Sequence, residues 1–179
     1  AGVQGEMKAY AARPKAENKY KTVIVIHENR GLNAHIEDVA RRVANAGFLA
    51  IAPNALSPLG RTFANEDEAR AAFRDLKNED NVMNFGKAIE YAKSRKDCDG
   101  NVGCVGFCWG GAMANSLAVH VPELKAAVAF YGRQPAVENV PKIKSAVQLH
   151  YGSLDEGVNA GIPAYEAALK TNNIRFELY

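Results

Sequence analysis

The sequence has no long hydrophobic run, few cysteines and almost no excess charge. No apolar stretch approaches the roughly 20 residues that a membrane-spanning helix needs, so we expect no membrane partner. The 22 basic and 20 acidic residues give a formal net charge of +2, and they are interleaved rather than clustered, which argues against a nucleic-acid partner. No Gly-rich phosphate loop or dinucleotide-binding pattern is present either.

The cysteine count also excludes some classes of protein. Cys98, Cys104 and Cys108 are an odd number, so they cannot all pair within the chain, and they lack the paired close spacing of a zinc site. The sequence therefore predicts no metal and no cofactor. A cytoplasmic protein is the default expectation. A periplasmic one stays open if a leader has been removed before Ala1.

Short apolar runs alternate with longer amphipathic stretches along the chain. Runs such as TVIVIH at 22–27 are typical of parallel strands buried on both faces, and the stretch 36–46 has apolar residues at helical spacing. This alternation predicts an α/β fold, with a mostly parallel sheet and helices on both faces. We expect one domain over residues 1–179, truncated at both ends, because the chain begins without Met and stops on a strand.

The expected elements follow from these patterns. The predicted strands cover residues 5–11, 22–27, 48–52, 101–107, 126–130, 146–151 and 175–179. The predicted helices cover residues 36–46, two parts of 65–96 broken near 77–80, 110–119 and 163–172.

The strongest chemical motif is the segment GFCWGG at 106–111, which lies between a predicted strand and a predicted helix. It matches the nucleophile-elbow pattern G-x-[S/C]-x-G with Cys108 at the centre. A nucleophile on so tight a turn leaves no room for side chains two residues to either side, which explains Gly106 and Gly110. The alternative is a small buried cysteine in the turn of another α/β protein. Cys104 is expected in the core, and Cys98 in a polar loop at 97–100, facing solvent or half-buried.

Two other loops follow predicted strands and carry polar residues. In elbow enzymes the acid that orients the catalytic histidine follows a later strand, which points to Asp155 in GSLDE; the alternative is an acidic turn residue. The loop after the strand TVIVI supplies one oxyanion amide, here that of Asn29, and Trp109 supplies the second. Glu28 faces the same cavity, where it either assists the thiol or forms a salt bridge with Arg30. His27 is expected to be a core histidine with its hydrogen bonds satisfied.

The chain resembles the dienelactone hydrolase (carboxymethylenebutenolidase) family of α/β-hydrolases. The motifs TVIVIHE, GFCWGG and YGSLDE carry the resemblance, and similarity extends to FYGR at 130–133 and PAYEAALKTNNI near the end. The resemblance implies that Cys108 is the nucleophile, that Asp155 orients a histidine, and that Glu28 helps to activate the thiol. Three arginines are candidates for binding a substrate carboxylate: Arg30, Arg70 and Arg133.

The catalytic histidine is the one departure from the family pattern. The resemblance places it in a loop after the strand that matches IRFELY, and the sequence stops at Tyr179. None of the four histidines present fits the role, so the 179-residue chain is expected to be nearly inactive as it stands.

These patterns favour a hydrolase that cleaves a small-molecule ester or lactone through a Cys-His-Asp triad and a thioester. A non-catalytic α/β-hydrolase-fold binding protein is the alternative, motivated by the missing histidine. A redox-responsive thiol protein built on Cys108 is a third possibility. The sequence leaves the oligomeric state open.

Overall fold

The structure is a computed structural model, and it describes residues 5–179. Apolar, β-branched runs form the strands, and their bounds are β1 Ala9–Ala12, β2 Tyr20–Ile26, β3 Leu49–Pro53, β4 Cys98–Phe107, β5 Ala126–Phe130, β6 Ala146–His150 and β7 Phe176–Leu178. The α-helices are α1 Ala34–Asn45, α2 Glu66–Ala72, α3 Asn78–Ser94, α4 Trp109–His120, α5 Glu156–Asn159 and α6 Ile162–Thr171. Short 3₁₀ turns cover Ser57–Leu59, Phe73–Asp75 and Val137–Lys142.

The seven strands form one sheet in the order β1-β3-β2-β4-β5-β6-β7. Only β1 runs antiparallel, against β3, and every other neighbouring pair is parallel. Because parallel strands end at the same edge, the loops after β2, β4, β5 and β6 lie side by side. The sheet order places β4 between β2 and β5, so the loops that carry the candidate site residues Glu28 and Cys108 follow neighbouring strands.

Both faces of the sheet are covered, as the sequence predicts. Ile24 and Ile26 of β2 belong to a buried cluster with residues of α3, α4 and α6, whereas Val25 points the other way and packs with Ile36 and Ala40 of α1. This alternation of side chains along a strand distributes the core between two layers of helices. The architecture confirms the predicted α/β-hydrolase fold.

Most predicted elements are confirmed, with small differences at their ends. The strand predicted at 126–130 has these bounds, and the helical segment 65–96 is broken as predicted, although the break covers residues 73–77 and lies slightly earlier than the predicted 77–80. The three 3₁₀ turns and α5 were not predicted.

Cys98 is a correction. It is the first residue of β4 and only 5% exposed, not a residue of a polar surface loop. The charged neighbours that indicated a loop are accommodated otherwise, since Asp97 forms a bidentate ion pair with Arg95 at 2.8 Å. Between residues 5 and 179, no helix has the length and apolar character required to cross a bilayer.

Candidate active site

Cys108 lies on the turn that joins β4 to α4, with its side chain exposed. Its backbone has φ 54° and ψ −112°, a conformation that residues with a Cβ atom rarely adopt. Strained backbone of this kind costs on the order of 1–3 kcal/mol and concentrates at functional sites. The other two cysteines are buried, and burial raises the pKa of the Cys104 thiol to about 12. Cys108 is therefore the thiol that solvent can reach.

Four glycines make the turn possible. A Cβ atom at Gly106 would collide with the carbonyl of Gly110, and one at Gly110 would collide with the carbonyls of Ile26 and His27. Gly111 and Gly132 face each other so closely that neither has room for a methyl group. The glycines on either side of Cys108 are thus required by close backbone approach, which is the reason the sequence motif predicts.

Some backbone amides at this edge of the sheet already donate hydrogen bonds within the protein, and others do not. The Cys108 amide donates to the carbonyl oxygen of Phe130 at 3.0 Å, so it is not available to a ligand. Trp109 begins α4, and Ala112 is the residue whose amide donates back to Cys108 at 3.1 Å. Within residues 5–179 the amides of Trp109 and Asn29 donate no hydrogen bond. Both remain able to bind an oxyanion, helped by the positive end of the α4 dipole.

Glu28 follows β2 and contacts an aromatic side chain that the sequence did not single out. Its Oε1 atom accepts a hydrogen bond of 3.1 Å from the hydroxyl of Tyr131. The alternative salt bridge between Glu28 and Arg30 is wrong, because Arg30 instead forms an ion pair of 2.7 Å with Glu66. Tyr131 is the first residue after β5, so the rule that reactive groups follow parallel strands could have found it.

His27 is fully buried, and its hydrogen bonds are satisfied as predicted. Its Nδ1 lies 2.6 Å from the carbonyl oxygen of Glu28, and its Nε2 accepts from the amide of Ala55 at 3.0 Å. Burial lowers the His27 pKa from 6.5 to about 4, so the ring is neutral, with its proton on Nδ1. The ring stacks on Trp109 with a centroid distance of 5.5 Å. His27 therefore packs against the elbow through Trp109, and because both ring nitrogens are already hydrogen-bonded it does not act as a base.

Asp155 lies in the loop after β6 and is exposed. Its Oδ1 atom accepts a hydrogen bond of 3.1 Å from the amide of Val158, which makes it the N-cap of α5. It thus has the contact expected of an acidic turn residue, at the same sheet edge as the elbow. Whether it also orients a histidine stays a prediction. Glu156, the first residue of α5, is exposed as expected.

The contacts of the other three histidines do not indicate that any of them acts as the acid–base partner of Cys108. His35 is exposed near the start of α1, and His120 ends α4, with Nδ1 2.8 Å from the carbonyl of Ser116. His150 ends β6, where its ring is stacked between Phe130 at 4.3 Å and Tyr179 at 4.9 Å between centroids. In the part of the chain that the structure describes, no histidine forms a hydrogen bond with Asp155.

The three candidate arginines differ in their partners. Arg30 is paired with Glu66, and Arg70 of α2 forms an ion pair of 3.2 Å with Asp67. Arg133 is exposed, and its guanidinium forms no ion pair within residues 5–179. Arg133 also follows β5, close to Tyr131 in sequence. In the described part of the chain no three His, Cys, Asp or Glu side chains are grouped as metal ligands.

Known proteins resemble this chain over most of its length. The sequence pattern of the dienelactone hydrolase family (DLH) matches residues 7–179. The "Putative carboxymethylenebutenolidase" of Methylorubrum extorquens is 32% identical over 168 residues, covering 86% of this chain and 58% of that protein. The protein of the same name from Saccharolobus solfataricus is 31% identical over 202 residues, covering 92% and 77%. A Yersinia pestis relative is covered over 49% of its length, so the chain spans about half of some relatives.

Solved structures agree with the sequence comparison. The crystal structure of a "Putative Dienelactone Hydrolase" from Klebsiella pneumoniae matches with a TM-score of 0.84 and 27% identity, covering 99% of this chain and 82% of that one. Dienelactone hydrolase from Anabaena variabilis has the same fold, with a TM-score of 0.76, 22% identity and coverage of 99% and 81%. With its elbow, its sheet order and its matching sequence pattern, this chain belongs to the dienelactone hydrolase family of the α/β-hydrolase superfamily.

Proposed function

We propose that the protein hydrolyses small-molecule esters or lactones through a thioester on Cys108. One observation carries the proposal: an exposed thiol lies on a strained strand-to-helix turn, next to a backbone amide at Trp109 that has no acceptor within residues 5–179. A core cysteine would need neither the strain nor the exposure. The names of the family and of its relatives, which describe dienelactone hydrolases and carboxymethylenebutenolidases, support the same substrate class.

The reaction has two stages. The Cys108 sulfur attacks the substrate carbonyl, the C–S bond forms, and the oxyanion is bound by the amides of Asn29 and Trp109. The C–O bond then breaks, and the leaving oxygen takes a proton. Water attacks the thioester in the second stage, which releases the acid and restores the thiol. Glu28 assists the thiol in the first stage.

A Cys-His-Asp triad would transfer the protons, with Asp155 orienting the histidine. In the family pattern that histidine follows the strand matching β7, so the proposal concerns the complete natural protein. Arg133 is the candidate best placed to bind a substrate carboxylate, because its guanidinium is exposed and without an ion pair in the described residues. Arg30 and Arg70 would first have to leave Glu66 and Asp67.

The test is selective alkylation of the complete natural protein. Iodoacetamide should modify Cys108 and spare Cys98 and Cys104, because those two thiols are 5% and 2% exposed. Hydrolysis of an activated ester such as p-nitrophenyl acetate should be lost in proportion to the modification of Cys108. Peptide mass mapping measures the extent of that modification. Cys104→Ala is the matched control and should keep both the activity and its sensitivity. Activity that survives complete modification of Cys108 would overturn the mechanism.

A second candidate is a non-catalytic scaffold, and one observation favours it. The Asp155 carboxylate accepts a hydrogen bond from the amide of Val158 and none from a histidine within residues 5–179. A scaffold predicts no burst of p-nitrophenol from the activated ester and no acylated Cys108 peptide. A burst that is stoichiometric with the free thiol favours the enzyme.

A further inference from the structure

The loop that carries Asp155 is not held in place by burial of its own side chains. None of residues 152–161 is buried, and Leu154 is 93% exposed. Hydrogen bonds inside the loop define its shape: the Asp155 carboxylate accepts from the Val158 amide, and the Asn159 side chain donates to the carbonyl of Gly152 at 2.8 Å. These bonds do not fix where the loop lies relative to the rest of the molecule.

The side chain of Gln134 joins this loop to the segment that follows β5. Gln134 is half-buried, and its Nε2 atom donates a hydrogen bond of 3.1 Å to the carbonyl oxygen of Val158. In the part of the chain that the structure describes, no other hydrogen bond joins residues 152–160 to a segment outside 152–165. The two backbone groups of Val158 are thus both bound, its amide by Asp155 and its carbonyl by Gln134.

A glycine at the end of the loop leaves room for the Gln134 amide. A Cβ atom at Gly161 would collide with Gln134 Oε1. Gly161 has φ −86° and ψ −12°, a conformation that any residue adopts, so the backbone itself does not require glycine there. The close approach of the Gln134 side chain is therefore the reason for glycine at this position.

The segment that carries Gln134 is in turn attached to the elbow helix. Gly132 packs so closely on the first turn of α4 that a Cβ atom would collide with the helix backbone. Asn115, fully buried in the same helix, donates a hydrogen bond of 3.1 Å to the carbonyl of Arg133. Since α4 begins directly after Cys108, close contacts run from the elbow through the segment after β5 to the loop after β6.

We propose that Gln134 is a positioning residue: by holding the carbonyl of Val158, it keeps the Asp155 carboxylate at a fixed place relative to Cys108. Gln134 acts through the loop and transfers no proton. The inference rests on the proposed function, in which Asp155 orients the histidine that exchanges protons with the thiol. Misplacement of a catalytic group by about 1 Å can lower a rate about 100-fold, so the position of this loop affects kcat.

The test is steady-state hydrolysis of p-nitrophenyl acetate by variants of the complete natural protein. Gln134→Met keeps the length of the side chain and removes the donor, so kcat should fall about 10-fold while KM stays close to the native value. Gln148→Met is the matched control, because Gln148 of β6 donates instead to the exposed Glu177, and it should keep the native kcat. A native kcat in Gln134→Met overturns the inference, as does a change in KM alone.

A second variant tests the same contact from the other side. Gly161→Ala leaves Gln134 in the sequence but displaces its amide, and a flexible side chain shifts at low cost, so the fold should persist. We expect a loss of kcat similar to that of Gln134→Met. In both variants the peptide covering residues 152–161 should take up deuterium faster than in the native protein. Native exchange in that peptide would show that the loop is held without Gln134, contrary to the inference.

Combination with Asp155→Asn separates positioning of the carboxylate from a general structural effect. Asparagine keeps the N-cap acceptor and removes the charge, so the loop retains its shape. In this background Gln134→Met should lower kcat no further, because the group that it positions is gone. A further fall would mean that Gln134 acts on another group, which refutes the proposal. The alkylation of Cys108 in the native protein tests the proposed function separately, since it leaves Gln134 unchanged.

Discussion

At the scale of single residues, burial decides which side chains can react. Cys104 and Cys108 are four positions apart, yet the Cys104 thiol is buried in the core and the Cys108 thiol lies on an exposed turn. His27 and Glu28 are adjacent, but the imidazole is fully buried while the carboxylate reaches Tyr131. The alternation of strand side chains, and the change of direction where a strand ends, produce these contrasts.

His27 should make the stability of the fold depend on pH. Its pKa is about 4 in the folded protein and about 6.5 in the unfolded chain, so between these values the unfolded state binds the extra proton. The free energy of unfolding is therefore not reduced by His27 above pH 6.5. It decreases as the pH falls toward 4, by up to about 3 kcal/mol. Urea unfolding of His27→Gln should show a shallower decline of stability over this range than the native protein.

The exposed His35 provides the control for that measurement. His35→Gln should keep the native slope of unfolding free energy against pH. Equal slopes in the native protein and in His27→Gln would contradict the assignment of a buried, neutral His27.

How far the sequence could predict the site is clear from particular residues. The elbow at Cys108 was predictable, because its glycines are required by backbone contacts that any such turn must make. Tyr131 was missed as a partner of Glu28, because a contact between residues 103 positions apart depends on the order of the strands in the sheet. The ion pair of Arg30 with Glu66 was missed for the same reason.

At the scale of elements, two glycines show opposite uses of the same residue type. Gly47 follows Ala46, the C-cap of α1, and has φ 96°, whereas Gly86 lies inside α3, and in both cases a Cβ atom would have no neighbour within 4 Å. Gly86→Ala should therefore stabilise the protein by about 0.5–1 kcal/mol through helix propensity. Gly47→Ala should destabilise it by about 1–2 kcal/mol, since alanine is strained at positive φ. Urea unfolding measures both, and changes of the same sign would contradict this explanation.

The elements that the sequence missed share a physical cause. Helix α5 has four residues and the 3₁₀ turns have three to six, so none is long enough to show a hydrophobic period. Strands β2 to β6 have apolar runs that reveal them. Cys98 was misplaced because two aspartates beside it resemble a loop, and only the fold reveals the ion pair of Asp97 with Arg95.

At the scale of the whole molecule, the single tryptophan reports on the integrity of the site. The Trp109 ring contacts His27, Phe73 and Phe85, with centroid distances of 5.5, 5.0 and 6.2 Å. These residues come from different parts of the chain, so the cluster can persist only while the sheet and its helices are packed together. Urea transitions followed by tryptophan fluorescence and by far-UV circular dichroism should coincide. A fluorescence change at clearly lower urea would show that the elbow opens separately.

The crowding among Gly106, Gly110, Gly111 and Gly132 also governs how this scaffold could acquire new substrates. Backbone atoms fill the volume that any added carbon would need, so these four positions offer no latitude for laboratory evolution. Diversity has to come from exposed residues of the loops after the strands, such as Arg133. In a mutagenesis library confined to such positions, we expect most variants to keep the native fold.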